Sequence, residues 1–87
     1  MLIAKNLGRF TEGEIQGELV LMHVDTGTFH GLSGVGLAIW RLLDTERDPA
    51  AIAAALVDRY DIDPAACAAE VDAFLRELER AQFVTFS

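Results

Sequence analysis

Residues 24–43, VDTGTFHGLSGVGLAIWRLL, constrain the fold of this chain more than any other stretch. A strand ends there in the turn Asp25-Thr26-Gly27, where aspartate can bond the following backbone and glycine supplies positive φ. A short second strand, residues 28–32, then runs into an amphipathic helix that begins after Ser33. The stretch therefore predicts a hairpin with a glycine bulge, whose second strand lies beside a helical layer.

Before this stretch, the chain carries strand-like and polar segments. Residues 17–24, GELVLMHV, have apolar side chains on both faces, which predicts a central strand covered on both sides. Residues 2–10 are a candidate first strand, and residues 11–16 are polar enough to predict a loop. We place residues 28–32 at the edge of the sheet because no later strand is an obvious neighbour.

After this stretch, the pattern is helical almost to the end. Asp48 and Asp63 each precede a proline, the arrangement of an N-cap followed by the first helical position. The last helix is expected to end near Ala81, and residues 83–86 to form a short extended segment over the core. With no linker or repeat between the halves, residues 1–87 are predicted to form a single α+β domain.

Composition and charge exclude several classes of function. Hydrophobic residues make up 52% of the 87 residues, enough for the dense core that a chain of this size needs. The net charge of −7 opposes binding to nucleic acid and to anionic membranes, which both attract lysine and arginine. Strands followed by helices still leave a DNA-binding winged helix-turn-helix regulator as an alternative, although the helical half is strongly acidic.

Nothing in the sequence predicts a cofactor, a metal site or an enzyme. His23 and His30 are the only histidines, too few for the three or four ligands of a metal site. Cys67 lies among small residues, which is typical of a buried filler, and a single cysteine excludes an internal disulfide. With neither a secretory signal nor an apolar run of membrane-spanning length, we expect a cytoplasmic protein.

The edge strand at residues 28–32 is the strongest candidate for a functional surface. An unpaired edge presents backbone N–H and C=O groups that a protein either shields or uses. These residues include neither proline nor lysine to blunt the edge. Shielding by a terminal segment or a second copy, and use by an added peptide strand, are equally consistent with the residues.

Three runs of residues carry a resemblance to a known family. They are TGTFHGLSGVGLAIWRLLD, DPAAIAAALVDRYDIDP and EVDAFLRELERAQFV. Their ordered features are an aromatic-glycine-leucine before a capped helix, an Ile-Trp in that helix, and a final Val-Asp-x-Phe-Leu-x-x-Leu. Together they resemble the PqqD-like family, the recognition elements for ribosomally made, post-translationally modified peptides, over about residues 18–84.

The resemblance implies a winged-helix-like fold, with a three-stranded antiparallel sheet followed by three α-helices. It also implies a protein without catalytic activity, which binds the leader region of a precursor peptide as an added strand and delivers it to a maturation enzyme. That enzyme is a leader peptidase in lasso-peptide pathways, to which TGTFHGLSGVGLAIW looks closest, and a radical enzyme in the quinone-cofactor pathway.

Carried onto this sequence, the resemblance places the peptide along the edge strand and beside the last helix. The strand residues are Thr28, Phe29, His30 and Gly31, where His30 replaces an aromatic of many relatives. The expected groove wall is one flank of the last helix, which carries Ala68, Asp72, Leu75 and Glu79. The carboxylates of Asp72 and Glu79 suit basic leader residues. We expect a monomer or weak homodimer; a small dimerisation module, whose edge strand pairs with its own copy, is the remaining alternative.

Overall fold

The computed structural model describes residues 2–87, which form five strands and three helices. In chain order these are β1 (Ile3–Lys5), β2 (Phe10–Ile15), β3 (Glu18–His23), β4 (Phe29–Leu32), α1 (Gly34–Leu42), α2 (Pro49–Tyr60), α3 (Pro64–Arg80) and β5 (Val84–Phe86). Strands β2, β3 and β4 form an antiparallel sheet in that order, and β1 pairs with β5. The predicted α+β class, with a three-stranded antiparallel sheet followed by three helices, is confirmed.

The N-terminal strands differ from the prediction. Residues 11–16, predicted as a loop, contain most of β2, whose residues after Phe10 are all exposed. No hydrophobic alternation signals this strand, and its pairing with β3 along its whole length makes it one. The candidate first strand at residues 2–10 contains the short β1, which pairs with β5 and lies outside the main sheet, and only the first residue of β2.

The β3–β4 hairpin contains the predicted glycine bulge. Gly27 has a φ of +71°, a conformation that favours glycine. Its N–H donates to the carbonyl of His23 at 2.9 Å, and the N–H of His23 donates to the carbonyl of Thr28 at 2.9 Å. This pair of bonds is the pattern of a G1 bulge, which sets the register of everything that follows in β4.

Strand β3 is central in the sheet, as predicted, but only one of its faces is covered. That face carries Leu19, Leu21 and His23, which are all buried. Val20 and Met22 lie on the opposite face and are half-buried. The prediction of cover on both sides is therefore wrong, and the outer face of the sheet has an apolar surface.

The two acidic helix caps are confirmed. Asp48 accepts a hydrogen bond from the N–H of Ala50 at 3.0 Å, and Asp63 accepts one from the N–H of Ala66 at 3.0 Å. Ser33 occupies the N-cap position of α1, but its side chain makes no capping hydrogen bond. Helices α2 and α3 thus begin at side-chain caps, whereas α1 begins where the chain leaves β4.

An apolar core lies between the inner face of the sheet and the helices. Trp40 of α1 is buried in it, and its Nε1–H donates to the carboxylate of Glu12 on β2. Leu75 of α3 and Phe83 are fully buried in the same core. The burial of Phe83 confirms the expectation that the C-terminal segment closes over the core.

Candidate functional site

Strand β4 lies at the edge of the sheet, and the hairpin decides which of its backbone groups face outward. Residues of an antiparallel pair alternate between hydrogen-bonded and non-hydrogen-bonded positions. Because the carbonyl of Thr28 is bonded to His23, the backbone of His30, two residues later, also faces β3. The N–H and C=O groups of Phe29 and Gly31 therefore point to the free edge.

The terminal strands do not cover this edge. β1 and β5 pair with each other, and within residues 2–87 the only strand neighbour of β4 is β3. Shielding by a terminal segment, one of the alternatives that the sequence left open, does not occur in the part of the chain described here. The edge is consequently available to another strand.

Side chains of β4 alternate between the helical layer and the outer face of the sheet. Leu32 is buried in the core, and the half-buried ring of His30 lies 5.9 Å from the ring of Phe83. Phe29 lies on the outer face, where it is 68% exposed, and Gly31 shares that face. His30 therefore lies on the face of the sheet that packs against the core, and Phe29 does not.

One flank of α3 lies near α1, the helix that continues from β4. Phe74 is half-buried there, so close to α1 that a Cβ placed on Gly36 would lie 3.2 Å from its ring. Glu70 and Glu77 are exposed and lie on the same flank, one turn before and one turn after Phe74. The flank of α3 that lies near α1 is therefore an aromatic ring between two carboxylates.

Two of the four predicted wall residues, Leu75 and Ala68, lie away from Phe74 on α3. Leu75 is fully buried, so it supports α3 from within the core and presents no surface to a peptide. Ala68 lies on the side of α3 that meets α2, where it lines a shallow depression with Ala53 and Val57. Neither side chain is on the flank that carries Phe74.

The other two predicted wall residues lie on the flank of α3 away from Phe74. Asp72 accepts a hydrogen bond from Nε of Arg76 at 2.9 Å, and the Arg76 guanidinium lies 5.6 Å from the ring of Phe86 in β5. Glu79 is exposed two turns after Asp72 on the same flank. Both flanks border the same apolar stripe, so the sequence alone could not distinguish the one that lies near α1.

The remaining reactive side chains have structural contacts. Nδ1 of the buried His23 accepts a hydrogen bond from the N–H of Asp25 at 3.2 Å. The thiol of Cys67 is buried 3.6 Å from the carbonyl of Ala53. Among residues 2–87, no three His, Cys, Asp or Glu side chains are grouped so that they could hold a metal ion. None of the helices in this range has the length and apolarity needed to cross a membrane.

Comparison with known proteins supports the resemblance inferred from the sequence. Residues 18–84 match the family described as coenzyme PQQ synthesis protein D (PqqD). The chain is similar to the solved structure "TbiB1 in Complex with the TbiA(beta) Leader Peptide", with 30% identity, a TM-score of 0.85, and coverage of 97% of this chain and 96% of that one.

A second solved structure shares the fold at lower identity. It is "Lasso peptide synthetase B1 complexed with the leader peptide", with 19% identity, a TM-score of 0.82, and coverage of 97% of this chain and 98% of that one. No curated protein sequence matches the chain significantly. The family match spans most of the sequence and the TbiB1 match nearly all of it, so this chain belongs to the PqqD family.

Proposed function

We propose that this protein binds the leader region of a ribosomally made precursor peptide and presents it to a maturation enzyme. The observation that carries the proposal is the free edge of β4, where the backbone groups of Phe29 and Gly31 face outward. The structure of TbiB1, which is 30% identical to this chain, is a complex with a leader peptide. Here the leader adds to β4 as the fourth strand of the sheet.

Main-chain pairing alone does not hold a leader on this edge. The two N–H and two C=O groups of Phe29 and Gly31 allow four hydrogen bonds, together worth about 2–6 kcal/mol. Ordering five residues of a disordered leader costs about 5–10 kcal/mol in backbone entropy. Apolar side chains of the leader must therefore be buried as well, and alternate residues of the added strand point to the inner face of the sheet, where His30 lies.

The proposed site keeps the strand predicted from the sequence and changes its helical wall. Phe29, His30 and Gly31 form the docking strand, and Thr28 marks its end because its backbone is bonded within the hairpin. On α3 the contacts move to the flank of Phe74, where Glu70 and Glu77 can pair with basic leader residues. Ala68, Asp72, Leu75 and Glu79 are not retained as peptide contacts.

The protein acts as a carrier in this proposal and performs no chemistry. Its partner is a maturation enzyme, and we favour a leader peptidase of a lasso-peptide pathway over a radical enzyme because the run TGTFHGLSGVGLAIW resembles that type. We expect it to act in the cytoplasm, where ribosomes make the precursor. The acidic surface, with a net charge of −7, suits a leader or an enzyme that carries positive charge.

A titration with defined peptides tests the proposal. The probes are the leader of a precursor peptide encoded next to this gene and the TbiA(beta) leader peptide, followed by calorimetry and by amide chemical shifts. Binding should shift the amides of Phe29 and Gly31 most strongly. Absence of binding by both peptides at ~100 μM, equivalent to about −5.5 kcal/mol, would contradict the proposal.

A further inference from the structure

The outer face of the three-stranded sheet, opposite the helices, carries an exposed apolar patch. Val20 and Met22 of β3 are half-buried there, Ile15 of β2 is 60% exposed, and Phe29 of β4 is 68% exposed. They line a shallow depression of about 230 Å³ together with Thr11 and Gly13. None of these side chains lies on the inner face of the sheet, where His30 lies.

On this face, Gly13, Val20 and Gly31 form a row across the three strands. The register pairs Gly13 with Val20 and Val20 with Gly31, so the side chain of Val20 stands between two residues that have none. Neither glycine has a positive φ, and a Cβ on either would meet no atom within 4 Å. Glycine weakens a strand interior, and where the backbone does not require it, it often marks the close approach of a ligand.

The position of Gly31 connects this row to the peptide site. A peptide strand added to β4 lies one strand spacing, about 4.8 Å, beyond Gly31. The peptide residue paired with Gly31 must place its side chain on the same face as Gly31, which is the outer face. With no side chain on Gly31 in the way, that peptide side chain can lie across the strand toward Val20 and alongside Phe29.

We propose that the outer face holds a second peptide subsite, formed by Gly31, Val20 and Phe29, which selects a large apolar or aromatic side chain at the leader position paired with Gly31. This subsite rests on the proposed strand addition to β4. Aromatic side chains cover edge-strand glycines across neighbouring strands, and they pack well against β-branched partners. Leader side chains thereby contact both faces of the sheet, the inner face beside His30 and the outer face at this subsite.

A matched pair of valine substitutions tests the subsite. Gly31→Val fills the space beside β4 but keeps the outward N–H, whereas Gly13→Val makes the same change on β2, two strands away from β4. With the leader of the precursor encoded next to this gene, Gly31→Val should weaken binding about three- to tenfold. Gly13→Val should leave the affinity within about twofold of wild type, a difference too small for loss of one good packing contact.

A scan of the leader identifies the side chain that occupies the subsite. Alanine at the paired position should cost about three- to tenfold on wild type and less than about twofold on Gly31→Val, because the contact is already lost there. Val20→Ala truncates the side chain against which the leader residue packs and leaves the edge intact. It should give the same pattern if Gly31→Val does not fold. Methyl shifts of Val20 on titration provide an independent readout.

Two outcomes would overturn the subsite alone. One is normal leader affinity in both Gly31→Val and Val20→Ala, while the amides of Phe29 and Gly31 still shift. The other is a Val20 methyl shift that follows protein concentration without peptide, which assigns the outer face to a second copy of the chain. Failure of wild-type protein to bind the leader at all would instead refute strand addition, and the subsite with it.

Discussion

At the level of single residues, the alternation along β4 decides which backbone N–H and C=O groups face the free edge. The bulge at Gly27 bonds Thr28 to His23, and every second residue from Thr28 then faces β3. The backbone of Phe29 consequently faces outward, and that of His30 does not. A proline at His30 would thus test the stability of the hairpin, whereas a proline at Phe29 tests binding.

We expect Phe29→Pro to bind the leader about 2–12-fold more weakly than Phe29→Ala, the loss expected for one main-chain hydrogen bond. Both variants lack the ring, and only the proline lacks the N–H. An outward-facing proline is tolerated on an edge strand, so the two variants should melt at similar temperatures. Calorimetry and thermal unfolding measure both quantities.

His30→Pro is the contrasting variant for this test. It removes an N–H that faces β3, so it should lower the melting temperature in the absence of any peptide. Equal leader affinities for Phe29→Pro and Phe29→Ala, with both variants folded, would argue against strand addition at β4.

At the level of elements, the three helices begin in different ways. Asp48 and Asp63 cap α2 and α3 through hydrogen bonds to the backbone. Ser33 stands at the equivalent position of α1 without such a bond. An N-cap side chain stabilises a helix only when its oxygen accepts from a free N–H of the first turn.

Asp63→Ala should therefore lower the free energy of unfolding by about 1 kcal/mol, a shift of roughly 4–8 °C in melting temperature for a domain of this size. Ser33→Ala makes a similar truncation at an N-cap whose side chain is not bonded, and should change the melting temperature by less than half as much. Thermal unfolding followed by circular dichroism compares them. An equal loss in both variants would mean that Ser33 caps α1 in solution.

The two flanks of α3 provide a second test at this scale. Glu77 lies on the flank of Phe74, and Glu79 lies on the opposite flank with Asp72. Glu77→Lys should weaken binding of a leader with a basic residue near α3 by about 1.4–5-fold at low salt. Glu79→Lys makes the same change in net charge and should have a smaller effect.

The salt dependence of binding distinguishes a local ion pair at Glu77 from the effect of the change in net charge, which both variants share. The difference between Glu77→Lys and Glu79→Lys should shrink between about 50 mM and 500 mM salt, because an exposed ion pair is screened. A larger effect of Glu79→Lys would return the groove wall to the flank of Asp72 and Glu79, as the sequence analysis expected.

At the level of the whole molecule, a free strand edge in an acidic domain limits the possible partners. Pairing of β4 with its own copy would occupy the edge that a leader needs, so the two uses compete. The net charge of −7 opposes a duplex of nucleic acid at any exposed face. A neutral or basic peptide is the partner that suits both the edge and the charge.

Sedimentation equilibrium at tens of micromolar protein should therefore give one copy per particle, and the leader should add the mass of one peptide. A dimer that a saturating leader does not dissociate would support the dimerisation module instead. Fluorescence anisotropy with a labelled DNA duplex at about 100 mM salt is the parallel measurement, in which we expect no binding.

The sequence alone determined the features that depend on residues close together in the chain. The caps at Asp48 and Asp63, the Gly27 bulge and the helical periods each arise from bonds or dihedral angles within a few residues. The family could also be inferred from the order of its local runs, and the match of residues 18–84 to the PqqD family confirms it.

Only the tertiary structure decided the features that depend on distant residues. The polar β2 is a strand because β3 pairs with it, and β1 is held by β5 from the other end of the chain. Helical periodicity defines the apolar stripe of α3, but the approach of Phe74 to Gly36 shows which flank lies near α1. Pairing and packing are relations between elements, so the edge position of β4 was predictable from the sequence, and the flank of α3 that packs near α1 was not.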